Sequence, residues 1–321
     1  MRTGLLRSFV SLFAGFRGAR RASAACTVAL AVLLVGTAQP STSQLPADWA
    51  TMEIESKWDI TAEQYAAMIA AFRNGGSRWG YTFAVRWGGI PRRFVDTYYD
   101  TLDNQLASGL HTLRHRARYQ SDIRPPQGDV ADGIEESALD AAPWRLEWES
   151  MQYKSTPCRI GATWFREETG ACRLRDEGRA DLCAPDRELD PADLLSGSVP
   201  GHDAMAALRR DHPQLRLSSL RPAIHVSDYR YRVVFSRDGR ELFELSLDRL
   251  YTTDLVTGRR ALAAYEAELE IVAPAPTEQD VRALLSISDN VQREFGLRPS
   301  TRSKGLVEAP VGSCDAAGEL G

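Results

Sequence analysis

Glu53-Ile54-Glu55-Ser56-Lys57 is a run in which every second residue is charged, and it continues through Trp58 to Ile60 on the other phase. A period of two belongs to a β-strand, whose successive side chains point to opposite faces. The same pattern returns down the chain, with charge at Arg114/Arg116/Arg118, Arg230/Arg232, Glu244/Asp248 and Glu266/Glu268/Glu270. The alternate positions are apolar: Ile54 and Trp58, then Tyr229, Tyr231, Val233 and Phe235, then Phe243, Leu245 and Leu247, then Leu269 and Ile271. An ordinary half-buried strand has one apolar face and one mixed, solvated face. Here most of these strands carry charge of one sign, acidic in some and basic in others. A single arrangement accounts for the set: apolar faces covered by helices, and charged faces turned towards one another inside a closed barrel.

Lysine usage points to what such an interior would bind. The chain of 321 residues has three lysines, Lys57, Lys154 and Lys304, against 36 arginines. Lys57 closes the first charged strand, Lys154 ends the strand-like run 146–154, and Lys304 follows a helix. Where arginine is the default, a retained lysine marks a place where a compact, flexible charge differs from a planar fork. That suggests a polyanion site. The net charge of −4 and pI near 5.8 exclude a general nucleic-acid coating role, since such domains are basic overall. The basic groups must therefore be concentrated locally.

The first 47 residues contain no acid, and five arginines lead into an apolar stretch over 24–38. At 15 residues this is short for a membrane span and reads as a secretory signal. An uncleaved anchor and an organellar transit peptide share its composition. Residues 39–51 read as a linker, 52–307 as one folded domain and 308–321 as a loose tail. Cleavage would remove Cys26 and leave Cys158, Cys172, Cys183 and Cys314, an even number that permits two disulfides or free buried thiols. No pair has CxxC spacing, so a zinc site is not expected.

Strand patterns cover 52–60, 94–100, 113–118, 146–154, 227–235, 241–250 and 263–273. Thr61-Ala62-Glu63-Gln64 is a capping-box start to a helix ending at Gly75-Gly76. A second helix is expected over 277–295, stopped by Gly296, and a third over 203–211 before Pro213. The segments 120–143 and 155–200 read as insertions. With few βαβ alternations, the fold class is α+β with an antiparallel sheet.

These residues resemble the triphosphate tunnel metalloenzymes, or CYTH domains. The resemblance rests on Glu53-Ile54-Glu55-Ser56-Lys57 as the opening ExExK, and on Tyr98-Tyr99-Asp100-Thr101 with Leu106, Gly109 and Leu113-Arg114-His115-Arg116. The strand ending at Lys154, Tyr229-Arg230-Tyr231-Arg232, Leu245-Ser246-Leu247-Asp248, Glu266-Ala267-Glu268-Leu269-Glu270 and Ser303-Lys304 follow in the family's order. It covers about residues 52–306 and all three lysines. Two departures stand out: the chain is longer than the family's usual core, and 248–268 reads as carrying an inserted hairpin around Thr257-Gly258.

The resemblance implies a closed eight-stranded antiparallel tunnel. Lys57, Arg114, Arg116, Lys154, Arg230, Arg232 and Lys304 would bind the phosphates, since arginine forks grip phosphate oxygens and lysines supply point charges. Mg²⁺ or Mn²⁺ would be held by Asp248, Glu268 and Glu270, with Glu53 and Glu55 helping a second ion, because hard cations take oxygen ligands. Lys57, Arg116, Glu268 and Glu270 are the expected catalytic groups. There is no GxxxxGK[ST], GxSxG or HExxH motif, and the five histidines show no ligand spacing. His115 falls on the face opposite the charged one. The function expected is metal-dependent hydrolysis of inorganic triphosphate or a short linear polyphosphate. The alternatives are a non-catalytic polyphosphate binder, or adenylate cyclase or thiamine triphosphatase activity if the chain is cytosolic. No nucleic-acid partner is expected, and membrane contact only through an uncleaved N-terminus.

Overall fold

The computed structural model describes residues 45, 49–109, 111–121, 143–160, 162–176, 203–259 and 264–301. The expected signal 1–38, most of the linker 39–51, nearly all of the insertion 120–143, Lys304 and the tail 308–321 lie outside them. In chain order the strands are β1 Glu53–Ile60, β2 Gly76–Arg78, β3 Tyr81–Val85, β4 Arg92–Asp100, β5 Thr112–Gln120, β6 Arg145–Ile160, β7 Thr163–Asp176, β8 Arg221–Arg237, β9 Arg240–Asp254, β10 Ala264–Ile271 and β11 Arg298–Pro299. The helices are α1 Ala62–Phe72, α2 Gln105–Ser108, α3 Asp203–Asp211 and α4 Glu278–Phe295.

The strands form one antiparallel sheet. Pairing runs β8–β4–β5–β6–β7–β1–β10–β9, and β9 also pairs with β8, from Ile224↔Asp254 to Arg237↔Arg240. Eight strands were expected and eleven are found among the described residues: β2 and β3 extend the sheet beside β8, and β11 adds to β1. Two other expectations are corrected. The segment 155–200 was read as an insertion, yet 155–160 continues β6 and Thr163–Asp176 is β7, which pairs with both β6 and β1. The expected inserted hairpin between Asp248 and Glu268 is the β9–β10 connection itself, because β9 runs on to Asp254 and β10 starts at Ala264.

The three helices expected from sequence are present, with α1 ending at Phe72, short of the expected Gly75-Gly76. The Thr61 hydroxyl accepts from the Gln64 N–H at 3.2 Å and the Gln64 side chain accepts from the Thr61 N–H at 2.9 Å, a complete capping box for α1. Thr277 and Asp280 do the same for α4, which ends at Gly296 with φ +62°, a conformation open to glycine without steric cost. α3 matches its expected bounds.

These helices cover the apolar faces. Met68 and Phe72 of α1, and Val281, Leu284 and Val291 of α4, join Trp58, Val233, Phe235, Leu245 and Leu269 in the main core. α3 seals a second patch, setting Ala204 and Leu208 against Leu113, Met151 and Tyr153. With that side of the sheet buried in apolar contacts, the charged side is left facing inwards. Phe72 is fully buried, and its ring meets Trp79, Phe83, Phe235 and Phe295 at 5.3–6.1 Å. Phe72→Ala should cost about 3–5 kcal/mol of stability, whereas Thr277→Ala should cost about 1 kcal/mol. Urea unfolding measures both, and similar losses for the two would mean that α1 is not anchored through this ring.

Candidate functional site

Antiparallel register decides which charges meet. Lys57 lies opposite Glu268 and Glu55 opposite Glu270 across β1–β10. Asp96 lies opposite Arg116 across β4–β5, and Arg230 opposite Asp248 across β8–β9. The inner faces line a cavity of about 270 Å³. Six of the seven expected phosphate-binding residues reach it: Lys57, Arg114, Arg116, Lys154, Arg230 and Arg232, joined by Arg118 and Arg166. Among the expected metal ligands, Glu53, Glu55, Glu268 and Glu270 also line it, while Asp248 does not. Lys304 lies outside the described residues. The lining therefore has eight basic and four acidic side chains, a balance that favours an anion.

Two of the arginines are locked from behind by fully buried aspartates. Arg116 donates from Nε to Asp96 Oδ1 at 2.7 Å and from Nη2 to Oδ2 at 2.6 Å, and Arg230 grips Asp248 in the same way at 2.8 and 2.6 Å. Both guanidiniums also lie over the Phe94 ring, at 5.0 and 5.3 Å from its centre. Such bidentate pairs fix the plane of the fork, so the remaining N–H groups are aimed before any ligand arrives. Lys57 pairs with Glu268 and with Glu55 at 3.4 Å. Burial alone would lower the Lys57 pKa, but Glu268, Glu55 and Glu266 outweigh it and hold the ammonium above its ordinary value. Lys154 meets Glu53 at 2.5 Å and Arg166 meets Glu55 at 3.2 Å.

Two groups of carboxylates bring oxygens within 4.8 Å of one another: Glu53, Glu55 and Glu270, and Asp248, Glu266 and Glu268. This partition differs from the expected one, in which Asp248 shared an ion with Glu268 and Glu270. Asp248 lies opposite Glu266, whereas Glu270 is opposite Glu244. Four residues of strand separate the two levels, roughly 13 Å. All-carboxylate oxygen donors suit Mg²⁺, Mn²⁺ or Ca²⁺. The first group is the better fit, because all three of its members line the cavity and Glu270 has no ion pair among the described residues. In the second group Arg230 already holds Asp248 and, at 2.5 Å, Glu268. Burial, then the neighbouring carboxylates Glu244 and Glu53, push the Glu270 carboxyl up to about 8.

Several residues of the site were missed in the sequence. Arg166 sits in β7, hidden in the segment read as an insertion, although Trp164-Phe165-Arg166 is a strand-like run. Asp96 shares its phase with Phe94 and Tyr98, and Glu266 with Glu268, so alternation alone could have found both. Asp100, part of the Tyr-Tyr-Asp-Thr run, is structural: its carboxylate accepts from the N–H groups of Thr101, Leu106 and Ala107 at 2.7–3.0 Å. His115 points away from the cavity as expected, towards Glu149 at 4.0 Å. Cys158 is disulfide-bonded.

No protein-family model matches the chain, and no curated protein matches it. Solved structures similar to it include a candidate adenylate cyclase from Bacillus halodurans, at 17% identity over 78% of this chain and 94% of that one, with a TM-score of 0.42. A candidate adenylyl cyclase of Hippeastrum that has a dominant triphosphatase activity is 16% identical over 79% and 93%, at 0.44. The capping-enzyme triphosphatase of Mimivirus is 12% identical over 76% and 92%, at 0.35.

The raised Glu270 pKa has a measurable consequence without metal. The folded carboxyl keeps its proton to about pH 8, while in the unfolded chain it loses it near 4.5. Between those values the folded state binds the extra proton, so stability falls as pH rises across the window. Glu270→Gln should flatten that slope in urea unfolding between pH 5 and pH 8. An unchanged slope would mean that Glu270 is ionised throughout.

Proposed function

We propose that the ring of paired strands encloses a tunnel, and that the chain is a divalent-metal-dependent hydrolase of inorganic triphosphate or a short linear polyphosphate in the triphosphate tunnel family. The observation that carries this reading is the cavity lining. Eight cations and four carboxylates converge on one space, with two arginine forks locked by buried aspartates. A compact anion with charge along its length uses such a space better than one with a single charge. Arg116 and Arg230 grip non-bridging oxygens from a fixed plane. Lys57 and Lys154 lie against carboxylates that a metal would claim, and each would then turn its ammonium to phosphate.

Glu53, Glu55 and Glu270 would hold the ion, which supplies charge neutralisation and acidifies a bound water. Hydrolysis adds water across a phosphoric anhydride: a new P–O bond forms to the terminal phosphorus, the bridging P–O bond breaks, and orthophosphate leaves with the shortened chain. The protein's part is positioning and electrostatic stabilisation of the charge that shifts to the leaving oxygen. Export is proposed on two grounds, the acid-free, apolar N-terminal segment and the disulfide at Cys158, since disulfides persist in oxidising compartments.

Phosphate release from triphosphate, ATP, thiamine triphosphate and long polyphosphate, with and without Mg²⁺ or Mn²⁺, tests the reading. Triphosphate should be the best substrate, and only with metal. Glu270→Gln should lower turnover by orders of magnitude while metal-free triphosphate binding holds or strengthens. Arg116→Ala should weaken binding itself, by about 2–5 kcal/mol. Tight binding with no phosphate release under any metal would make the chain a binding module instead. Fractionation followed by N-terminal sequencing should find a mature chain starting near Gln39 outside the cytoplasm, and an intact N-terminus in the cytosol would overturn export.

A further inference from the structure

The arginines around the cavity are not equally dry. The side chains of Arg114, Arg116 and Arg230 are 8–9% exposed, whereas Arg232 is 18% and Arg118 is 25% exposed. Solvent therefore reaches the cavity at the level of Arg118 and Arg232, which marks a mouth. At this mouth contacts run across four neighbouring strands. Arg232 of β8 and Arg92 of β4 both lie against the Trp87 ring, at 5.0 and 4.5 Å from its centre. Arg92 meets Glu147 of β6 at 3.6 Å, Glu147 meets Arg118 of β5 at 2.5 Å, and Arg118 stacks over Trp148 at 5.0 Å. Trp87 belongs to no strand. It sits in the turn Arg86–Gly89 between β3 and β4 with φ +53° and ψ +27°, a left-handed conformation unusual for a bulky residue, followed by two glycines at positive φ. Strain of this kind persists where surrounding contacts over-determine it, and here those contacts are the two guanidiniums.

We propose that Trp87 is the stop at this mouth of the tunnel: packed against Arg232 and Arg92, it narrows the opening and sets the length of phosphate chain that the site accepts. Three features support it. The ring sits on a lumen arginine rather than in the apolar core. The two cations it touches are each fixed by a carboxylate, Arg232 by Glu244 and Arg92 by Glu147, so the ring rests on a paired network. The indole is uncharged, so a phosphate chain that reaches it meets at most one N–H donor in place of a further cation. The inference rests on the triphosphatase reading and adds a specificity residue to it.

The test is the ratio of kcat/KM for long-chain polyphosphate to that for triphosphate, measured with the same divalent metal. Trp87→Gly suits the left-handed backbone and removes the ring, and Trp87→Asn is a second ringless variant that tolerates this conformation. Both should raise the ratio by about tenfold, a change of about 1.4 kcal/mol in relative barrier. Trp87→Phe should keep the wild-type ratio. Because each ratio is taken on one enzyme, a loss of folded protein does not move it. A wild type active on triphosphate, with the same ratio in both ringless variants, would overturn the stop while leaving the triphosphatase reading intact. A wild type inert on every substrate would overturn both.

Discussion

The organising constraint is that charged side chains of both signs must share a small interior without leaving any of them stranded. Antiparallel register meets it by setting opposite charges side by side: Lys57 against Glu268, Arg116 against Asp96, Arg230 against Asp248. A slip of one residue in any of these strands would turn its charges into the apolar jacket and its apolar residues into the cavity. Register is therefore strongly specified, and the helices that bury Trp58, Phe235 and Leu245 also keep the charges aimed inwards. Removing one partner would leave a buried charge uncompensated, which costs far more than the intact pair contributes.

The compensation is uneven, and the unevenness has chemical meaning. Asp96 and Asp248 are fully buried behind the arginines they orient, so they act on a ligand only through those forks. Glu53, Glu55 and Glu270 face the cavity, and for Glu270 burial and the acidic neighbours Glu244 and Glu53 outweigh the pull of Arg230 and Arg232 and raise its pKa. A divalent cation would resolve that tension while adding positive charge where an anion would lie. Metal binding and phosphate binding are thus expected to assist each other in this site, because each relieves repulsion that the other group experiences.

Much of the fold was legible because its signals are local. Period-two alternation located seven of the eight long strands, and the capping box at Thr61 and the stop at Gly296 located two helices, since both depend on neighbours within a few residues. β7 was not legible. Its residues 163–176 lie in a cysteine-bearing stretch that also contains Gly170, and its pairing with β1 joins residues more than 100 positions apart. With β7 went Arg166.

The sequence by itself determined which side chains are charged, which phase of each strand they occupy, and hence that they share one side of the sheet. That follows from the two-residue period of a strand and needs no knowledge of its neighbours. Only the tertiary structure decided how the carboxylates are grouped. Asp248, Glu268 and Glu270 share a phase, yet Asp248 stands level with Glu266 and apart from Glu270, which joins Glu53 and Glu55. Side-chain phase is a local property, whereas the level at which two strands meet is set by the register of the whole sheet.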